Sequence, residues 1–382
     1  VELNASIPAL LTQRVAAHGA ETVLRKKDRG IWKAVSWAEL DVRVREIGKG
    51  LLATGFGPGD TAAVLAETRP EFVYTDLAIL GTGGASIAIH PEEEAHRVAH
   101  ILRAAGCRFI FVENEEQLDK VLSIRADCPG LARIIVLDMK GLRDFRDPQC
   151  SSLQSFIAEG AAQNTWDDAI AAVTTDQPAV ILFPRGEVSG MGRSLSHGDV
   201  MHLVASARDR LGVRAGDERL AVLRMSDVTE RVLGLYLALE SRIISNYLES
   251  AETATENLQE VQPTVFGADA EAWERLHARI SRAADGATRL QRMLYRWAID
   301  AGRLGGSVGS LADLLVLRAV RREIGLNKLR VAYIGGSPVP PLVEHWTQAL
   351  GIRIQRIDTP QGAGVADDAR YLALMEDAYC GA

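Results

Sequence analysis

The stretch ILFPRGEVSGMGRSLSHGDV, residues 181–200, decides how the rest of the chain is read. The apolar run 179–183 predicts a strand, and Gly186, Gly190 and Gly192 predict a tight loop. The polarity then switches at Ser196 and His197 to an amphipathic helix. Strand, glycine loop and helix in that order form the layout of an anion cradle. Glycines let backbone N–H groups turn toward an anion, and the helix N-terminus adds its dipole. The same three glycines also suit an ordinary strand-to-helix turn. A triphosphate cradle further needs hydroxyls and a lysine, and the loop carries Pro184, Glu187, Val188 and Met191 instead. Glu187 would repel a phosphate, Val188 has no hydroxyl and Met191 has no charge.

Outward from this loop, hydrophobic periodicity alternates between strand and helix along most of the chain. A helix at 7–19 precedes a hairpin of strands 22–25 and 31–35. Ser36, with Glu39 three residues on, reads as a capping box that opens the next helix. Strands at 61–65, 85–89, 108–112 and 134–137 are separated by helical segments of ten or more residues, which predicts βαβ units and mainly parallel sheets. The polar segment 140–175 reads as a bridge between two sheets. The rhythm resumes after the loop, with strands at 219–223, 242–246, 264–266, 329–334 and 353–357. Long helices are expected over 269–303 and 309–325 around a spacer at 305–309, and a short helix in 358–382. The expected division is 1–175 and 176–357 as two α/β subdomains, with 358–382 as a tail.

Composition bounds the function. The chain has 382 residues, 47% hydrophobic and 24% charged, enough for at least one large core. A net charge of −7 argues against nucleic acid as a partner, because phosphate neutralisation needs a basic face. The four cysteines are widely spaced, without a CxxC pair or histidines at ligand spacing, so no metal site is expected. No apolar run reaches the length of a membrane span and no leader opens the chain, which makes the cytoplasm the expected location.

Four further stretches, VSWAELDVRV (35–44), ETRPEFVYTDLAIL (67–80), YLESAETATENLQEVQPTVF (247–266) and VAYIGGSPVPP (331–341), occur in an order and spacing that resemble the large N-terminal domain of adenylate-forming acyl-CoA synthetases. The long-chain fatty acid branch is the most similar. The resemblance implies an α/β fold of two mainly parallel sheets flanked by helices. It also implies ATP- and magnesium-dependent conversion of a carboxylate to an acyl-adenylate, followed by transfer to coenzyme A.

The phosphate loop of that family reads approximately YTSGTTGxPKG. Against it, Phe183 stands at the tyrosine, Pro184 and Arg185 at the threonine-serine pair, Glu187 and Val188 at the two threonines, and Met191 at the lysine. Gly186, Gly192, Leu195 and His197 are retained. Asp227 stands where the branch has a histidine before its phenylalanine-glutamate-arginine run, of which Glu230 and Arg231 remain. Gln361 stands at the magnesium-binding glutamate. Gly335, Gly336 and Ser337, followed by Pro338, match the nucleotide-pocket motif, and equally suit a strand-end turn that permits close packing. No C-terminal lid is recognisable in 358–382.

The resemblance therefore leads to an expectation of a degenerate synthetase without catalytic residues. Gly186, Gly192, His197, Gly335, Gly336 and Ser337 would remain as a vestigial nucleotide site. ATP, magnesium and coenzyme A are expected only if the family activity persists. The expected partners are a fatty acyl ligand and a protein covering the surface left by the lid. Two alternatives stand beside this reading: an active ligase completed in trans or by a missing C-terminal part, and a new reaction on the same fold.

Overall fold

The computed structural model describes residues 5–183, 190–335 and 338–357. Its strands are β1 (Thr22–Asp28), β2 (Ile31–Ser36), β3 (Thr61–Leu65), β4 (Ala85–Ile89), β5 (Phe109–Val112), β6 (Arg133–Val136) and β7 (Cys150–Ser152). They continue as β8 (Pro178–Leu182), β9 (Arg193–Ser196), β10 (Glu218–Ala221), β11 (Ile244–Tyr247), β12 (Val265–Gly267), β13 (Val331–Gly335) and β14 (Ile354–Ile357). One seven-stranded sheet has the order β7-β6-β5-β3-β4-β8-β9 and the other the order β14-β13-β12-β10-β11-β1-β2. Each is parallel except for an antiparallel hairpin at one edge, β8-β9 in the first and β1-β2 in the second. The expected α/β fold of two mainly parallel sheets is present.

Alternating side chains along the strands build three layers of core. In β3, Ala62 and Val64 face a central core while Ala63 and Leu65 face an outer one. In β13, Val331 and Tyr333 point to the same central core, and Ala332 and Ile334 point to the opposite side. This is the two-residue period of a strand buried on both faces. The central core lies between the sheets and is filled from the helices Ile7–His18, Trp37–Ala53, Pro70–Gly81 and His197–Leu211. Outer helices such as Ala95–Ala104 on the first sheet and Ala270–Asp285 on the second close the remaining faces.

Four local expectations are corrected. The glycine loop does not run directly into a helix: β9 returns antiparallel to β8, pairing Leu182 with Arg193 and Ile181 with Ser194. The short alternation of Arg193–Ser196 was too brief to stand out beside the helical pattern that follows. Segment 140–175 is more than a bridge. It supplies β7 and the helices Leu153–Glu159 and Trp166–Ala172. Trp166 is 1% exposed, seated where a Cβ on Gly48 would lie 1.8 Å, and one on Gly81 2.4 Å, from its ring.

The helix expected over 269–303 breaks at Gly286, and Thr288 with Gln291 forms a capping box that restarts it. The spacer is shorter than expected, because a helix already begins at Gly306. Strand pairing crosses residue 175 in both sheets. The N-terminal hairpin β1-β2 pairs with β11, and β8-β9 completes the first sheet. The tail 358–382 lies outside the described residues.

Candidate functional site

In open parallel sheets, ligands bind beyond the carboxyl ends of the strands. Here those ends from both sheets meet at one cleft of about 950 Å³. Glu67, Thr68 and Arg69 follow β3, His90 and Glu92 follow β4, and Glu113 follows β5. From the second sheet, Val222, Leu223 and Arg224 follow β10, and Leu248, Glu249 and Ser250 follow β11. Leu258, Phe266 and Leu276 give the cleft an apolar wall. Its volume is of the size that takes a small organic ligand.

The charges around this cleft are committed to one another. Arg69 Nε donates to Glu71 Oε2 at 2.8 Å and its Nη1 to Glu113 Oε1 at 2.9 Å, while Lys26 Nζ reaches Glu71 Oε1 at 2.9 Å. Burial alone would raise the Glu71 pKa, but Arg69 and Lys26 reverse that and hold it at about 2. Arg224 pairs with Glu92 at 2.8 Å, Arg275 with Glu271 at 2.6 Å and Arg279 with Glu323 at 2.8 Å. Among the described lining residues, seven carboxylates stand against five lysines and arginines. The cleft is therefore a net acidic, internally paired surface.

Behind the cleft, two fully buried ion pairs fix the segment Thr229–Tyr236, which forms a π-helix in which the Leu237 N–H donates to the Val232 carbonyl. Arg219, from β10, donates to both Glu230 oxygens at 2.6 Å. Burial opposes the charge of Arg219, and Glu230 more than offsets it, holding the guanidinium above the ordinary arginine range. Arg231 donates to Asp76 Oδ1 and, at 2.8 Å, to the Ser86 hydroxyl. Ser86 in turn donates to Asp76 Oδ1 at 2.6 Å, and the Tyr236 hydroxyl donates to Asp76 Oδ2 at 2.7 Å. π-Helical turns frequently mark functional positions.

This ionic framework locates the residues singled out from the sequence. Gly335, at the end of β13, packs so closely on Thr229 that a Cβ would lie 2.0 Å from its Oγ1. Asp227 opens the same segment, its carbonyl accepting from the Arg231 N–H at 3.0 Å. His197 begins the helix His197–Leu211, whose N-terminus is closed by a capping box of Ser196 and Asp199. Its imidazole is fully buried, and Nδ1 accepts from the Ile7 N–H at 3.4 Å. Burial lowers the His197 pKa to about 4, against a smaller opposite effect of Asp76.

Gly192 has φ of 75°, a backbone state that favours glycine, and Met191 beside it is 78% exposed. The structure thus brings Gly335 and Asp227 to the Thr229–Arg231 segment, keeps His197 in the interior, and leaves Met191 in solvent. Gly186, Gly336, Ser337 and Gln361 lie outside the described residues. Sequence reasoning missed Asp76, Arg219 and the paired cations of the cleft. The signal for Asp76 was present, a lone acid inside the apolar helix FVYTDLAIL.

Comparison with known proteins agrees with this architecture. Residues 11–358 match the family of AMP-binding enzymes. The chain belongs to that family. This AMP-binding family member is 23% identical over 377 residues to the long-chain-fatty-acid–CoA ligase ACSBG2 of Rattus norvegicus, covering 93% of the chain and 56% of the relative. It is 21% identical to ACSBG1 of Homo sapiens, covering 92% and 51%. The chain spans about half the length of these curated relatives.

Among solved structures, it superposes with a TM-score of 0.70 on the A domain of carboxylic acid reductase from Segniliparus rugosus in complex with AMP and a co-purified carboxylic acid. The identity is 15%, covering 94% of the chain and 61% of that domain. The N-terminal domain of FACL13 from Mycobacterium tuberculosis gives a TM-score of 0.66 at 15% identity, covering 95% and 76%. Among the described residues, no helix is long and apolar enough to cross a membrane, and no group of three or more His, Cys, Asp or Glu side chains is placed to hold a metal ion.

Proposed function

We propose that this AMP-binding family member binds an acyl ligand, or a partner presenting one, in the cleft between its sheets without activating it through ATP. The observation that carries this reading is the charge state of the cleft. Each lysine and arginine lining it is already bonded to a carboxylate, and the carboxylates are in excess. A nucleoside triphosphate with magnesium would need free cations and oriented donors, since stabilising its transferred charge is most of the catalytic work. The described residues do not fit that need. Met191 is a neutral, exposed side chain at the place of the phosphate-loop lysine, and Asp227 adds a negative charge at the place of a histidine.

The apolar wall of Leu258, Phe266 and Leu276 suits a hydrocarbon chain, and the named relatives are long-chain fatty acid ligases. The buried pairs Arg219–Glu230 and Arg231–Asp76 hold the cleft's second wall in place, which keeps a binding site rigid without serving chemistry.

The second reading, a ligase active with a further domain, is favoured by the family match over residues 11–358. Isothermal titration with fatty acids of increasing length and, separately, with magnesium–ATP separates the two. The first reading expects heat from the acids and none from the nucleotide. Saturable nucleotide binding would support the second.

A further inference from the structure

The helix Arg289–Leu304, with the following elements Gly306–Ala312 and Asp313–Leu317, forms an outer layer that contributes no residue to the lining of the cleft. In the helix Arg289–Leu304, Leu290, Met293, Leu294 and Trp297 recur at i, i+3, i+4 and i+7, the stripe by which a globular helix buries itself. Here most of the stripe faces out: Leu290 is 61% exposed, Met293 62% and Leu294 40%, while Trp297 is half-buried against the outer core. The next elements repeat the pattern, with Val308 50% exposed, Leu311 49%, Leu314 64% and Leu315 60%. Leu304, at the turn between them, is 84% exposed. The helix is instead anchored by its other side, through buried Ala298 and Ala301 and a hydrogen bond of 3.1 Å from Trp346 Nε1 to the Tyr295 hydroxyl.

The charge of this layer opposes that of the molecule. Residues 289–322 hold seven arginines and two aspartates, and no lysine or glutamate, in a chain of net charge −7. Arg321 is paired with Asp313, and Arg292 is spent on the carbonyls of Asp285 and Ala287. Arg289, Arg296, Arg303, Arg318 and Arg322 are exposed, and among the described residues none of them is paired with a carboxylate. Beside Leu304 a surface concavity is lined by Arg303, Arg353 and Asp300. A leucine-rich face with a rim of arginines is the composition of an element that lies in a lipid interface: the apolar side enters the headgroup–acyl boundary and the cations meet anionic lipid.

We propose that the layer 289–317 is a docking face for an anionic lipid bilayer. The charge favours this occupant over a second copy of the chain. A symmetric pairing of this face would bring the exposed arginines against their own copies, and like charges across an interface oppose it. The proposal rests on no reading of the cleft and stands whether or not the protein binds nucleotide.

Vesicle flotation of the full chain tests it, with vesicles of phosphatidylcholine alone and of phosphatidylcholine mixed with phosphatidylglycerol. Binding is expected to the mixed vesicles, weakened by salt. It should fall at least about tenfold in Leu304→Ser/Leu314→Asn/Leu315→Asn, which removes apolar insertion from exposed positions. Arg296→Gln/Arg303→Gln/Arg318→Gln should lose the preference for phosphatidylglycerol. Circular dichroism of each variant establishes that the fold is intact. Failure of the wild-type chain to float, or equal flotation of the folded variants, would overturn the proposal. So would a dimer in light scattering that the leucine substitutions dissolve, with no vesicle binding.

Discussion

Replacing Asp76 by alanine removes the one carboxylate that three buried groups share. Arg231, Ser86 and Tyr236 all donate to it, and both members of the ion pair are 1% exposed or less. Arginine cannot shed its proton in a protein, so the variant keeps an unpaired cation in the interior. Breaking a buried pair from one side costs about 3–5 kcal/mol. For a chain of 382 residues, an unfolding entropy of about 2 cal/mol/K per residue gives about 0.8 kcal/mol per kelvin, so a loss of 4 kcal/mol lowers Tm by about 5 °C.

Arg231→Met should cost less, about 1–3 kcal/mol, because Ser86 and Tyr236 still donate to the remaining carboxylate. The double variant Asp76→Leu/Arg231→Met removes both charges and should recover most of the loss, since buried pairs replaced by apolar groups of similar volume are often near neutral. Differential scanning calorimetry of the three variants reads these differences. A Tm within about 1 °C of wild type for Asp76→Ala, or a double variant no better than the worse single one, would mean that the buried pair does not carry this stability.

Three further outcomes are expected. His197 is neutral when folded, its pKa lowered by burial from 6.5 to about 4, so the unfolded chain binds the extra proton between those values. Stability from this group is full above pH 6.5 and is lost as pH falls toward 4, by about 3 kcal/mol in all, and urea titrations across that range should show His197→Gln with a flatter profile. Gly335→Val forces a side chain into Thr229, with only 2.0 Å between Cβ and Oγ1, and should destabilise by about 1–3 kcal/mol or more in the same titrations. Burial pushes the Cys107 thiol up to about 12 and Cys150 to about 11, so neither should be alkylated by iodoacetamide at neutral pH in the folded protein, as peptide mapping will read.

The parallel strands were legible because each carries a continuous apolar run, as in Ala62–Leu65 and Phe109–Val112, and because helical spacing separates them. The capping box at Ser36 and the switch of polarity at Ser196 and His197 marked helix starts to the residue. What escaped depends on contacts distant in sequence. Nothing near Trp166 announces a seat made by Gly48 and Gly81, so its segment read as polar. Swapped hairpins are likewise invisible locally: β1 finds β11 across more than 200 residues, a choice made by tertiary packing.

In the site, glycines and motif positions could be placed by spacing, whereas the ion pairs could not. Arg69 meets Glu113 through the pairing of β3 with β5, and Arg231 meets Asp76 only across elements of the two different sheets. Of the candidate residues, His197 reads differently in three dimensions, as a buried imidazole held by Ile7 rather than a group open to the cleft.

The proposal that the family fold is kept for binding with its adenylation chemistry lost is tested at its core by ATP–pyrophosphate exchange. The assay isolates the first half-reaction, needs no coenzyme A, and is run with magnesium and fatty acids from short to long on protein shown by circular dichroism to be folded. No exchange above background is expected for any acid. Acid-dependent exchange that saturates with ATP would contradict it, and would mean that a nucleotide is bound and activated despite Met191, Asp227 and the paired cations of the cleft.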